Sequence, residues 1–120
     1  MKKILIAEDD KFLQDLVAHK LTDAGYQILK VSDGDEVVSE LVMHQPDLLL
    51  LDIDLPNRNG FEILEEVRDT LSISGISVIV FTNDDSQEVK TRAEKFKATY
   101  FLKAMTGTGE LVDAVAKILS

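Results

Sequence analysis

The sequence predicts an α/β domain built as a doubly wound, five-stranded parallel sheet, in the order 2-1-3-4-5, with helices on both faces. Three observations carry this expectation. Short apolar runs alternate five times with longer stretches of helical spacing. Two of the runs, Leu48-Leu49-Leu50-Leu51 and Val78-Ile79-Val80-Phe81, are apolar at every position, as strands buried on both faces are. The connections are short, and strictly alternating units give a parallel sheet with right-handed crossovers. For five strands, the winding that reverses between strands 1 and 3 is the leading arrangement.

Residues 4–7, 27–31, 47–51, 76–81 and 99–102 read as strands. Phe12, Leu13, Leu16, Val17 and Leu21 form the stripe of a first helix, which ends at Gly25, a glycine suited to a helix C-terminus. Val37, Val38, Leu41 and Val42 follow Ser32-Asp33-Gly34-Asp35, which reads as a capping box. Asn59 with Glu62 precedes a stripe of Phe61, Ile63, Leu64, Val67 and Leu71. Asp85 with Glu88 precedes Val89, Ala93 and Phe96. Leu111, Val112, Val115, Ile118 and Leu119 mark the last helix, with Thr108 as its expected N-cap. Thr106-Gly107-Thr108-Gly109 lacks the Gly-Lys-Ser/Thr ending of a phosphate-binding loop and reads as a flexible lead into that helix.

The 120 residues suit one domain, 1–120, around one core, and 45% hydrophobic content is enough to fill it. Acidic residues outnumber basic ones, 22 to 13, for a net charge of -9. A field of that sign repels nucleic-acid backbones and anionic membranes, so direct binding to either is not expected of this segment. The absence of cysteine excludes disulfides, thiolate metal sites and cysteine nucleophiles. The apolar run after Lys2 and Lys3 is too short for a signal peptide, and no run approaches the roughly 20 residues of a membrane helix. A soluble, cytoplasmic protein is expected.

In a doubly wound sheet, ligands bind beyond the carboxyl ends of the strands where the winding reverses. Glu8, Asp9 and Asp10 follow strand 1 and Asp52 follows strand 3, so carboxylates should converge there. Two carboxylates about 4 Å apart repel by roughly 1 to 4 kcal/mol, depending on the local dielectric, so the cluster needs a positive partner. A hard divalent cation with oxygen ligands, Mg²⁺ in a cell, meets that need. Asp10, where the first helix begins, is read instead as its cap. Thr82 at the end of strand 4 offers a hydroxyl to a phosphoryl oxygen, and Lys103 at the end of strand 5 adds a positive charge. Metal ligands, nucleophile and oxygen-binding groups at four of five strand ends describe a phosphoryl-transfer pocket.

Ile4-Leu5-Ile6-Ala7-Glu8-Asp9-Asp10, Leu50-Leu51-Asp52-Ile53-Asp54-Leu55-Pro56, Gly60-Phe61, Val80-Phe81-Thr82 and Tyr100-Phe101-Leu102-Lys103 occur in this order. Over essentially its whole length the chain resembles the CheY-like receiver domain of bacterial two-component response regulators, which has the flavodoxin-like fold. The resemblance implies that Asp52 is the phosphoacceptor, taking a phosphoryl group from the phosphohistidine of a sensor histidine kinase or a histidine phosphotransfer domain. It implies that Asp9 binds Mg²⁺ directly and Glu8 through a coordinated water, with Asp52 and the backbone carbonyl of Asp54 as further ligands. Lys103 and Thr82, helped by the Asn83 N–H, would contact phosphoryl oxygens. Thr82 and Tyr100 would form the switch: Tyr100 turns inward, and the face of helix 4, strand 5 and helix 5 changes for a downstream effector. A phosphorylation-linked dimer also fits the resemblance. Such a domain catalyses its own phosphorylation and dephosphorylation and is not an enzyme of turnover.

Three positions depart from the common pattern. Ala104 replaces the proline that usually follows the lysine, and a cis bond before a non-proline costs about 2.5 to 4 kcal/mol, so a trans path is expected. Asn83 is larger than the small residue often found after the hydroxyl, and Asp54 adds charge at the same mouth. Both point to an altered phosphoryl lifetime. Ser72-Ile73-Ser74-Gly75 lacks the usual proline before strand 4 and reads as a local turn variation. His19 and His44, with no neighbouring nucleophile, are expected as surface or boundary residues. Lys90, Arg92, Lys95 and Lys97 form either a solvated helix face or a docking surface for an acidic partner or a second copy. Two rival readings exist: a non-phosphorylated scaffold of the same fold, and a haloacid-dehalogenase-type phosphatase using Asp52-Ile53-Asp54.

Overall fold

Strands β1 (Lys3–Ala7), β2 (Gln27–Val31), β3 (Leu48–Leu51), β4 (Ser77–Thr82) and β5 (Thr99–Leu102) alternate with helices α1 (Lys11–Asp23), α2 (Val37–His44), α3 (Gly60–Asp69), α4 (Gln87–Lys95) and α5 (Thr108–Leu119) in the computed structural model, which describes residues 1–120. Every strand pairing is parallel, in the order β2-β1-β3-β4-β5. This is the flavodoxin-like, CheY-like arrangement that the alternating pattern predicts. No helix is long and apolar enough to cross a membrane.

The period of two along the strands divides the core. Leu5, Leu49, Leu51, Val78 and Val80 point to a face covered by α2, α3 and α4. Ile4, Ile6, Leu48, Leu50, Ile79 and Phe81 point to the other, covered by α1 and α5. All four leucines of β3 are buried, and each contributes roughly 1.5–3 kcal/mol of burial free energy. That burial on both faces holds β3 in register with β1 and β4, and so sets where the chain after it emerges.

Several local expectations are corrected. Leu13, Val17 and Leu21 of the α1 stripe pack as expected, joined by Gln14 and Ala18, while Phe12 is 79% and Leu16 36% exposed. A stripe drawn through apolar letters alone skips Gln14, which is buried because its amide is hydrogen-bonded. Val42 of the α2 stripe is exposed. The box before α2 does not form: Asp33 caps a short 3₁₀ turn, Gly34–Glu36, and α2 starts with no side-chain cap. Asn59 does cap α3, accepting from the Phe61 N–H. α3 ends at Asp69, because Thr70 adopts an extended conformation, and Leu71 lies 92% exposed in a 3₁₀ turn. Ser86, not Asp85, caps α4, since Ser86 Oγ accepts from the Val89 N–H. α5 begins at Thr108, so Gly107 occupies the cap position. Gly25, at φ 101°, follows the last turn of α1 as expected. His19 and His44 pair with Asp23 and Glu40 on helix surfaces.

Gly60 is required by close approach: a Cβ there would lie 2.4 Å from Ile53 Cα. Gly60→Ala is expected to destabilise the fold by about 1–3 kcal/mol through overpacking, read as a shift in the urea midpoint. Gly109→Ala in α5 meets nothing within 4 Å and should stabilise by about 0.5–1 kcal/mol in the same assay.

Candidate functional site

The sheet register builds the site. Ala7 pairs with Leu51, so Glu8 and Asp52 leave neighbouring strands side by side, and the Asp52 N–H donates to the Ala7 carbonyl at 3.0 Å. Thr82 pairs with Leu102, which places Lys103 one step beyond the hydroxyl. Carboxylate oxygens of Glu8, Asp9 and Asp52 lie within 4.8 Å of one another. Glu8 and Asp52 are buried, 4% and 6% exposed, while Asp9 faces solvent.

Lys103 lies between the buried pair, its Nζ 2.6 Å from Glu8 Oε1 and 3.0 Å from Asp52 Oδ2. No peptide bond is cis, including the one before Ala104, and the trans path through a 3₁₀ turn at Lys103–Met105 still delivers the ammonium to the pocket. Burial alone would lower the Lys103 pKa, but its contacts with Glu8 and Asp52 outweigh that and raise it. Glu8 moves up as well: burial dominates, and Lys103 and the Asp10 N–H lower it without reversing the shift. One cation therefore serves two buried acids with a third at the rim, and the pocket is short of positive charge.

The donor set fits a hard divalent cation. All three ligand candidates are carboxylates, and solvent-facing Asp9 leaves room for the waters that Mg²⁺ retains. The 4.8 Å spread exceeds by a little the ~4.2 Å diameter of an octahedral Mg²⁺–oxygen shell, so small side-chain movements close it. The Asp54 carboxylate is exposed and outside the cluster, and its N–H donates to Asp52 Oδ1 at 3.0 Å. Partial burial, then the charges of Asp52 and Asp84, raise the Asp54 pKa. Asp10 caps α1 through the Leu13 N–H, as expected, and its own N–H binds Glu8 Oε2.

Thr82 is fully buried, and its Oγ1 accepts from the Asp84 N–H at 3.2 Å. Tyr100 Oη donates to the Asp84 carbonyl at 2.6 Å, so one residue joins the two expected switch side chains. Burial first, then the charges of Asp85 and Asp84, raise the Tyr100 pKa. Asn83 is exposed at the mouth of the pocket, and Phe101 is half-buried. Gln14 and Asp84 were not among the expected site residues. Asp84 acts through its backbone, which its side-chain type does not reveal.

Glu8, Asp9, Asp52 and Lys103 thus form an acidic pocket at the edge of the sheet where the winding reverses, the place where doubly wound α/β domains bind ligands. The sequence model of the response regulator receiver domain matches residues 4–116. The chain belongs to that family, whose members are signalling switches of two-component systems and not enzymes in the ordinary sense. It is similar to the chemotaxis protein CheY4 of Vibrio cholerae, at 26% identity and a TM-score of 0.89 over 99% of each chain. It is similar to the BeF3-activated N-terminal receiver domain of RstA from Klebsiella pneumoniae, at 26% identity and a TM-score of 0.90 over 98% of each. A LuxR-family DNA-binding response regulator from Staphylococcus aureus matches over 100% of both chains at 25% identity and a TM-score of 0.91. Family membership sets the phosphatase reading aside.

Relief of the acidic cluster is measurable. Without metal, Asp9→Asn should stabilise the fold by about 0.5–1 kcal/mol, and millimolar Mg²⁺ should raise the wild-type melting temperature more than the variant's. The Glu8 shift has the opposite sign to an ordinary paired carboxylate. Its folded pKa lies above the unfolded one, so the folded state holds the extra proton, and stability falls as pH rises through that interval. Wild type should therefore gain stability relative to Glu8→Gln as pH falls from neutrality toward about 4, as read by urea midpoints.

Proposed function

We propose that this chain, over residues 1–120, is a Mg²⁺-dependent phosphoacceptor switch of a cytoplasmic two-component phosphorelay. The observation that carries the reading is Asp52, a buried carboxylate bound by Lys103 and set against Glu8 and Asp9. An Asp52 oxygen attacks the phosphorus of a phosphohistidine on a sensor histidine kinase or histidine phosphotransfer domain. The O–P bond forms as the P–N bond breaks, and the departing imidazole keeps the electron pair and takes up a proton from solvent. Lys103 and Thr82 hold phosphoryl oxygens, so positioning and charge neutralisation carry the catalysis. Asp9 and Glu8, with Asp52 and the Asp54 carbonyl, would hold Mg²⁺, which neutralises charge on the transferring group. Water later cleaves the acyl phosphate and restores Asp52. Asn83 and Asp54, exposed at the mouth, set the lifetime of that intermediate.

Thr82 Oγ1 accepts from the Asp84 N–H and donates its own proton to a phosphoryl oxygen, so movement of the side chain toward that oxygen stretches the bond to Asp84 and loosens the segment that Tyr100 holds. α4 is suited to respond, since it buries only Val89 and Ala93, where α3 buries five residues. Lys90, Arg92 and Lys95 rest over the rings of Tyr100, Phe61 and Phe96, so a shift of α4 would remake its cation–ring contacts with β5 and α3. The α4–β5–α5 face then offers an altered surface to a downstream effector or to a second copy. Exposed Phe12 and Met105, in the first turn of α1 and after β5, lie at the same edge of the sheet as Asp52 and suit the phosphodonor.

Incubation with Mg²⁺ and acetyl phosphate should add the mass of one phosphoryl group to wild type and nothing to Asp52→Asn. No gain in wild type favours a scaffold that is never phosphorylated. Tyr100→Phe should still be phosphorylated, while amide exchange of residues 83–86 rises about fivefold for the loss of a hydrogen bond worth about 1 kcal/mol. Unchanged exchange there removes Tyr100 from the switch.

A further inference from the structure

Four polar side chains are buried in this protein: Glu8, Asp52, Thr82 and Gln14. The first three belong to the site just described. The fourth sits on α1, 2% exposed, with its amide aimed at the ends of two strands. Gln14 Nε2 donates to the carbonyl of Glu8 at 3.0 Å and to that of Val31 at 3.1 Å, and Ser32 Oγ is 3.5 Å away. With Glu8 and Asp52 it also lines a cavity of about 10 Å³, near the smallest volume that holds one water.

We infer that Gln14 is a positioning residue that sets the metal affinity of the phosphoacceptor site, an inference that rests on the function proposed above. A peptide unit is planar, so fixing the Glu8 carbonyl fixes the plane that carries the Asp9 N–H and leads to the Asp9 side chain. The second bond, to Val31, ties that plane to the end of β2, so the reference is the sheet itself. The Glu8–Asp10 turn is then held from both ends. The Gln14 N–H donates to the Asp10 carbonyl at 2.9 Å, the Asp10 N–H to Glu8 Oε2 at 3.1 Å, and the Gln14 amide closes the loop. Carboxylates that repel one another spread when the backbone beneath them is free. Gln14 resists that spread and keeps Glu8 and Asp9 gathered before a cation arrives. Groups that orient metal ligands in this way typically affect affinity by about 10–100-fold when removed.

Methionine has similar length and no donor, so Gln14→Met keeps the packing and deletes both bonds. Mn²⁺, a spectroscopic stand-in with the same oxygen preference, reports affinity by electron paramagnetic resonance. Gln14→Met should bind Mn²⁺ about tenfold more weakly than wild type. Its phosphorylation by acetyl phosphate should be slow at low Mg²⁺ and approach the wild-type rate at high Mg²⁺, a recovery that a damaged fold does not show. Val17→Ala, a packing change on the same helix face, should lower the melting temperature with Mn²⁺ affinity unchanged. If Gln14→Met does not fold, Gln14→Asn, whose amide is one methylene too short to reach both carbonyls, takes its place. Wild-type binding of Mn²⁺ with equal affinity in the Gln14 variant overturns this inference alone. A wild type that binds no Mn²⁺ overturns the phosphoacceptor reading and this inference with it.

Discussion

The ion pair of Lys103 with Glu8 and Asp52 is the constraint on which the site depends. Two carboxylates removed from water and a third at the rim would drive the β1 and β3 loops apart if left alone. The ammonium, brought from β5 across the width of β4, sits in contact with both buried acids. It neutralises only part of their charge. Burial first, and then the neighbouring charge of Asp52, raise the pKa of Glu8 in this crowded pocket. Stability and function pull in opposite directions here, and the core supplies the difference.

That core works mainly as a ruler. β3 is buried along its whole length, so it cannot slip against β1 or β4 without moving leucines out of both apolar layers. Because Ala7, Leu51 and Val80 are in register, the loops leaving these three strands all emerge at one edge of the sheet. Those loops can then be polar and short without loss of aim. Gly60 belongs to the same frame: lacking a side chain, it lets α3 begin against Ile53 and returns the chain beneath Asp52.

Beyond the pocket, the connections run through backbone groups more than side chains. Thr82 reaches the Asp84 N–H, and Tyr100 reaches the Asp84 carbonyl. The far end of α4 is held differently, by Arg68, whose guanidinium donates to carbonyls of Ser74, Ile76, Phe96 and Lys97. Burial lowers the Arg68 pKa. α4 is thus pinned at its C-terminal end by a charged hub, and at its N-terminal end by the Ser86 cap and the Asp84 carboxylate, which accepts from the Ser86 N–H.

Much of this was legible in the chain itself. Alternating apolar runs and helical stripes determined the fold class, because period and length follow directly from the geometry of strands and helices. Acids, hydroxyl and ammonium at strand ends determined which residues meet, because a doubly wound sheet gathers those ends. Caps at Asp33, Ser86 and Gly107 were decided only in three dimensions, since several neighbouring residues could each have begun the helix and packing chose among them. The burial of Gln14 and the exposure of Phe12 were decided there too, because rotation of α1 on the sheet is set by contacts and not by letter type. The same holds for Asp84: its part is played by a backbone N–H and carbonyl, groups that every non-proline residue carries and that only folding can single out.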